Sequence, residues 1–348
     1  MRTLRRFGAF ALLFSLAAGG LLLWQIGLPY QRFQGEVFYE LKRGTSTVTM
    51  ARELAALGVV RSPWHFLGAR LLRPRASLQA GDYRFTDAAS PRSVLDRIAR
   101  GDIYFIELTI PEGSNLFEIA ELVERQRLTS AAAFRRAASD PKLIRDLSPS
   151  APSLEGYLFP STYQFSRRDS ATTLCRRMTE EFRKVWKEIG GDGDPHEAVT
   201  LASLVETETA VAGERPLVAG VYRNRLAAGM KLDCDPTVIY AAQLANAWRG
   251  TIYRSDLDRD HPYNTYRRPG LPPGPIANPG KASLEAALRP ESTRAVYFVA
   301  KPDASGGHVF SETLAAHERA VASYRRGKAN ERNATAPPVA RRKPSRRR

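Results

Sequence analysis

Between Phe7 and Leu28 the chain runs for 22 residues without a charge, rich in Leu, Ala and Phe and with Trp24 near its far end. A helix of that length crosses a bilayer core of about 30 Å, so everything after it has to fold on one side of a membrane. Arg2, Arg5 and Arg6 precede the stretch, and Arg32 is the only basic residue soon after it. The positive-inside rule then places residues 1–6 in the cytoplasm, residues 7–28 across the membrane and the body outside. A cleaved signal peptide, cut near Ser15-Leu16-Ala17, is the alternative. The apolar run continues through Leu21, Leu22 and Leu23, which favours a retained anchor.

The whole chain of 348 residues, 43% apolar and 25% charged, has material for two modest domains with cores of their own. A net charge of +16 points to nucleic acid only until the charges are located. The first six residues hold +3 and Lys328–Arg348 holds +7, from eight basic residues and Glu331, which leaves +6 for the body. No uniform basic face is indicated, and so no nucleic-acid partner. The tail over 328–348, with Pro337, Pro338 and its arginines, reads as disordered. Cys175 and Cys234 are the only cysteines. They can pair outside the cytoplasm or serve as two small apolar side chains, and spacing does not decide between these.

Periodicity divides the body. Phe38–Leu41 reads as a short strand, Thr47–Leu57 as a helix, and a second helix starts at Pro63. Leu78–Phe85 reads as a strand with a Gly81-Asp82 turn, Pro91–Arg100 as a helix capped by Ser90 and ended by Gly101, and Ile103–Ile110 as a strand. Gly44-Thr45-Ser46 leads into Met50-Ala51, and Gly113-Ser114-Asn115 leads into Ile119-Ala120 with the same spacing, a turn and cap before a helix each time. The pattern resembles LysM, a two-strand, two-helix fold that binds N-acetylated glycans, with one LysM-like module over 36–110 and a second repeat or connector over 111–153. Over 154–327 helices dominate, at Thr172–Ile189, Glu197–Thr209, Pro216–Leu226 and Thr313–Arg326, with a hairpin formed by Val296–Ala300 and His308–Ser311. The expected class is α+β.

Three enzyme templates fail on spacing. His196-Glu197 opens like a zinc-protease helix, but Thr200 stands where the second histidine is needed. Gly274–Lys281 has one residue too many for a phosphate loop and contains Pro275 and Pro279, which lack N–H donors. No dinucleotide fingerprint follows a strand, so neither metal nor organic cofactor is expected. The segment Leu201–Ala210, LASLVETETA, is more informative. On a helix, Glu206 has Ala202 and Ser203 one turn before it and Thr209 and Ala210 one turn after, a small face past which a bulky substrate can reach an acid. Glu208 lies about 200° around the axis, so the two carboxylates cannot serve one site. By periodicity alone an ordinary exposed glutamate near a helix end is the better reading of Glu206.

Other segments alter that balance. Glu155–Tyr163, EGYLFPSTY, sets a carboxylate among aromatic rings, and Asp235–Tyr240, DPTVIY, starts a helix. Tyr263–Tyr266, YNTY, enters the loop Gly270–Gly280, GLPPGPIANPG, whose prolines are stiff enough to wall a groove. YFVA at Tyr297–Ala300 and GGHVF at Gly306–Phe310 follow. In this order the strings resemble the endolytic murein transglycosylases of the MltG or YceG-like family over nearly the whole chain. The resemblance implies a single membrane anchor, a LysM-like module and a mainly helical, lysozyme-related catalytic domain. It also implies a catalytic glutamate at Glu206; Glu155, Tyr157, Asp235, Thr237, Tyr240, Asn264, Tyr266, Asn278 and His308 are the candidate substrate contacts.

The chemistry implied by the resemblance suits a lone acid. Glu206 would protonate the glycosidic oxygen between N-acetylmuramic acid and N-acetylglucosamine, then take the proton of the muramic 6-hydroxyl as that oxygen attacks its own anomeric carbon. The product is a 1,6-anhydromuramic end, and no second carboxylate is needed to activate water. A hydrolytic muramidase pairing Glu206 with Glu155 or Asp235 is one rival, and a membrane-tethered glycan-binding scaffold without catalysis is another. The resemblance further implies an inner-membrane protein with a periplasmic body, acting on glycan strands near the peptidoglycan synthases.

Overall fold

A computed structural model describes residues 17, 19–21, 23–303 and 305–335. Much of the expected anchor and most of the basic tail lie outside these residues. Among the described residues, no helix is long and apolar enough to cross a membrane. The class is α+β, with short two-stranded sheets among many helices. The chain divides into two compact units, one of residues 1–106 with 164–168, the other of 107–163 with 169–348. Segments 111–153 and 154–327 therefore lie together in the second unit, apart from the short return at 164–168.

In the first unit, β1 (Val37–Leu41) pairs antiparallel with β2 (Gly81–Phe85), placing Tyr39 opposite Tyr83 and Val37 opposite Phe85. The alternation buries Tyr39, Leu41, Tyr83 and Phe85 on one face. That face packs with Met50 and Leu54 of α1 (Thr47–Ala56), Phe66 of α2 (Pro63–Leu72) and Val94, Leu95 and Ile98 of α3 (Pro91–Arg100). The helices start and stop where their local chemistry dictates. Ser46 accepts from the Thr49 N–H at 3.1 Å, Ser90 does the same for Ser93, and Gly101 takes the left-handed conformation that ends α3. The expected strand over Leu78–Phe85 begins only at Gly81. Before it, the Gln79 N–H donates to Ile98 O at the end of α3, so these residues bond to a helix end and not to a partner strand.

Next along the chain come β3 (Ile106–Thr109), which runs into the second unit, α4 (Leu116–Arg125) and α5 (Ala131–Ala138), and β4 (Thr162–Phe165) pairs with β3. The order strand, helix, helix, strand thus occurs twice in the chain. Asn115 caps α4 through a full capping box, its side chain accepting from Phe117 and Glu118 N–H while Glu118 accepts from Asn115 N–H. Next come α6 (Ala171–Glu188), α7 (His196–Glu208), α8 (Arg215–Ala227), α9 (Asp235–Leu244), the single turn α10 (Arg254–Leu257) and α11 (Lys281–Leu288). The hairpin of β5 (Tyr297–Ala300) and β6 (His308–Ser311) follows, then α12 (Leu314–Thr335). Helix α7 is the axis of this unit. Every residue from Val199 to Val205 is buried, because α8, α9 and α11 all pack against it.

Leu54 is fully buried in the core of the first unit. Leu54→Ala should lower unfolding free energy by about 2–5 kcal/mol, the range for a buried leucine whose cavity only partly collapses. Urea denaturation followed by circular dichroism reads it, and a midpoint equal to that of the wild type would contradict this packing.

Candidate active site

The last turn of α7 carries Glu206 to the edge of the second unit, with its side chain only 5% exposed. Both carboxylate oxygens accept hydrogen bonds. Arg215 Nη2 donates to Oε1 at 3.0 Å, and the backbone N–H of Gly280 donates to Oε2 at 2.8 Å. Thr209 ends α7 in an extended conformation, and a short 3-10 turn at Ala212–Glu214 brings Arg215 back as the first residue of α8. Glu214 fixes that return by accepting from the His308 N–H at 2.8 Å and pairing with His308 Nδ1 at 2.7 Å. These bonds and a nearby lysine, Lys301, hold the Glu214 carboxyl below its ordinary range despite partial burial.

A second carboxylate faces Arg215 from the turn before α4. Glu112 Oε2 lies 3.8 Å from Arg215 Nη2, and its side chain is half exposed. A Cβ at Gly280 would have to displace the Glu112 carboxylate, so Glu112, Gly280, Arg215 and Glu206 form one cluster. Gly113, at φ +77, carries the chain past Glu206 Cγ. Alongside the cluster lies a cleft of about 360 Å³ whose polar lining includes Glu112, Asn115, Glu118, Thr207, Tyr240 and Gln243. Glu206 borders this cleft through Glu112, Gly113 and Thr207 and is not itself part of its wall. Its Arg215 and Gly280 contacts hold it to one side.

Beneath the cleft, Glu155 is 1% exposed. Its oxygens accept from the Leu116 N–H at 2.9 Å and from Asn278 Nδ2 at 2.7 Å. Burial pushes the Glu155 carboxyl up to about 8, opposed by these bonds and by Tyr240. Asn278 also accepts from the Leu158 N–H at 2.8 Å and donates to Ser114 O at 2.9 Å, so one amide joins three segments. Tyr240 reaches from Glu155 into the cleft. Glu155 and Asn278 therefore act on the cleft through the groups they hold.

The other expected contacts are dispersed. Tyr157 is buried against Phe182, with its hydroxyl between Ser148 and His196. Thr237 and Asn264 are buried; Thr237 bonds Cys234 O and Thr265, and Asn264 donates to the Asp256, Leu257 and Arg259 carbonyls. Tyr266 donates to Asp235 at 2.7 Å at the start of α9. His308 braces Glu214 next to Arg215. The separation of the two α7 carboxylates follows from the helix. Glu208 turns toward Cys234 and Tyr222, where burial lifts it to about 7. Cys234 and Cys175 are both free and buried. Sequence spacing gave no signal for Arg215, Glu112 or the Gly280 N–H, because the turns that bring them together are set by tertiary contacts.

Residues 39–323, which contain this entire constellation, match the sequence model of the YceG-like family. The chain belongs to that family. It is 32% identical over 302 residues to the endolytic murein transglycosylase of Bacillus subtilis (strain 168), covering 81% of this chain and 82% of that protein. It is 28% identical over 324 residues to the endolytic murein transglycosylase of Streptococcus pneumoniae (strain D39), covering 83% of this chain but only 58% of that longer protein. A crystal structure of a YceG-like protein from Listeria monocytogenes aligns with a TM-score of 0.53 at 29% identity, over 82% of this chain and 99% of that one.

In this YceG-like chain the raised carboxyls make stability pH-dependent. The folded state holds protons on Glu155 and Glu208 that the unfolded chain releases above the ordinary value of 4.5, so stability falls as pH rises from there to about 8 for Glu155 and about 7 for Glu208. Glu155→Gln and Glu208→Gln should each flatten the decline in Tm over that window. A Tm profile with unchanged slope in both variants would show that these groups do not titrate there.

Proposed function

We propose that the chain is an endolytic lytic transglycosylase that cleaves the β-1,4 bond between N-acetylmuramic acid and N-acetylglucosamine and leaves a 1,6-anhydromuramic end, with nascent glycan strands as substrate. The observation that carries this reading is Glu206, a sheltered carboxylate on a central helix beside a polar cleft, held at both oxygens by Arg215 and the Gly280 N–H. Membership of the YceG-like family and two relatives named endolytic murein transglycosylase support it. Once protonated, Glu206 gives that proton to the leaving oxygen, and the carboxylate so formed takes one from the 6-hydroxyl, which restores the acid. For that exchange the oxygen held by Arg215 has to become available. Glu112 offers the guanidinium a second carboxylate 3.8 Å away, so Arg215 can release Glu206 without losing its ion pair.

A hydrolytic muramidase pairing Glu206 with Glu155 or Asp235 fits less well. Glu155 is buried with its oxygens already bonded, and Asp235 is bonded by Tyr266. We further propose that residues 7–28 anchor the protein in the inner membrane with the body in the periplasm, near the peptidoglycan synthases. The two strand-helix-helix-strand segments are proposed as LysM-like glycan-binding elements.

Glu206→Gln should reduce turnover of purified glycan strands by at least about 10²-fold with an unchanged circular dichroism spectrum, as expected for loss of a general acid. Glu112→Gln should lower kcat by about tenfold, equivalent to about 1.4 kcal/mol of barrier, with KM nearly unchanged. Mass spectrometry of the products decides the reaction type. Anhydro ends support the proposal, ends heavier by one water identify the hydrolase, and the absence of new ends identifies a scaffold.

A further inference from the structure

The far end of the apolar stretch is built into the first unit. Residues 23–27 are helical and lead into it, and Ile26 is 2% exposed within the unit's core. Gln25 Oε1 bonds His65 Nε2 of α2 at 2.7 Å, and Ser62 bonds the other ring nitrogen at 2.7 Å. Just beyond, Tyr30 bridges to Ala89 and the Arg32 N–H donates to Gly58 O at 3.0 Å. The stretch is therefore no loose tether, and α2 is fixed beside its last turn.

Helix α2 has an outward face without a partner among the described residues. Trp64 is 73% exposed, Leu71 79% and Leu72 54%. Trp64 and Leu71 are seven residues apart and so lie about 20° apart around the axis, while Phe66 and Ala69 supply the opposite, buried face. Exposed arginines stand at both ends of α2, Arg61 before it and Arg73 and Arg75 after it; Arg73 also pairs with Asp96, while Arg70 turns back onto the Arg73 and Ala76 carbonyls. Leu21, Leu23 and Trp24 are more than half exposed one residue or more before Gln25, so the two apolar surfaces are carried by segments bonded to each other.

We propose that α2 lies on the membrane surface, its Trp64–Leu71–Leu72 face in the headgroup region and its arginines against anionic phospholipid. The inference rests on the proposed anchor. If residues up to Trp24 are in the bilayer, the Gln25–His65 bond leaves α2 no room to stand away from the headgroups. A helix with an apolar face, basic flanks and an aromatic end has the chemistry that partitions to that interface. The first strand-helix-helix-strand unit is then held at a fixed orientation to the lipid.

The test uses the full chain reconstituted in phosphatidylethanolamine and phosphatidylglycerol vesicles. A spin label is placed at Leu71→Cys, which is selective because both native thiols are buried. The expected result is stronger relaxation by oxygen than by an aqueous nickel chelate at Leu71→Cys, and the reverse at Arg92→Cys, an exposed position at the start of α3. Stronger relaxation by the chelate at Leu71→Cys, with a label at Leu13→Cys still in lipid, overturns the inference and leaves the anchor intact. A label at Leu71→Cys reached by neither agent marks a protein partner and also overturns it. A water-exposed Leu13→Cys label brings down the anchor, and the inference with it.

Discussion

Glu155 has almost no access to water, and the organisation of the second unit depends on what its two oxygens hold. One bond reaches the first turn of α4, and another reaches Asn278, which in turn fixes the loop leading to Gly280. A buried carboxyl is costly unless its hydrogen bonds are made, so these segments are locked together more firmly than apolar packing alone would lock them. The loop delivers the Gly280 N–H to Glu206, and the turn before α4 delivers Glu112 to Arg215. The exposed end of the cluster is thus positioned by a carboxyl buried beneath it.

Around Glu206 the arrangement is a cation between two carboxylates of unequal exposure. Glu206 is nearly enclosed, whereas Glu112 is half open to the cleft. An ion pair with a sheltered partner is hard to break outright, because it would strand a charge away from water. An ion pair with an alternative partner within reach can be rearranged at much lower cost. This geometry suits a group that has to give up a proton and accept one within a single turnover.

Much of the scaffold was legible in the sequence because its punctuation is local. Pro63 and Pro91 open helices, Gly101 closes one, and Ser46, Ser90 and Asn115 cap theirs through bonds spanning three residues. Helix α5 is hard to see in the sequence, since AAAFRRAA presents a thin apolar stripe, and α11 is hidden behind the proline-rich loop. Within the site, Glu206 stood out from its small neighbours and its motif. Arg215 did not, because its approach depends on a turn fixed by Glu214 and His308, 94 positions apart. The strings around Glu155 and Asn278 carry no sign of how deeply both are buried. No one-dimensional pattern distinguishes a carboxylate in a cleft from one beneath it.

The Glu214–His308 brace also ties the place of Arg215 to a distant part of the polypeptide. The hairpin that supplies His308 lies about a hundred positions beyond Glu206 in the sequence. Until that hairpin docks, the start of α8 lacks its clamp and Arg215 has no fixed place beside the acid. A loosened hairpin therefore unseats the guanidinium, so a disturbance far along the polypeptide reaches Glu206 through two side chains.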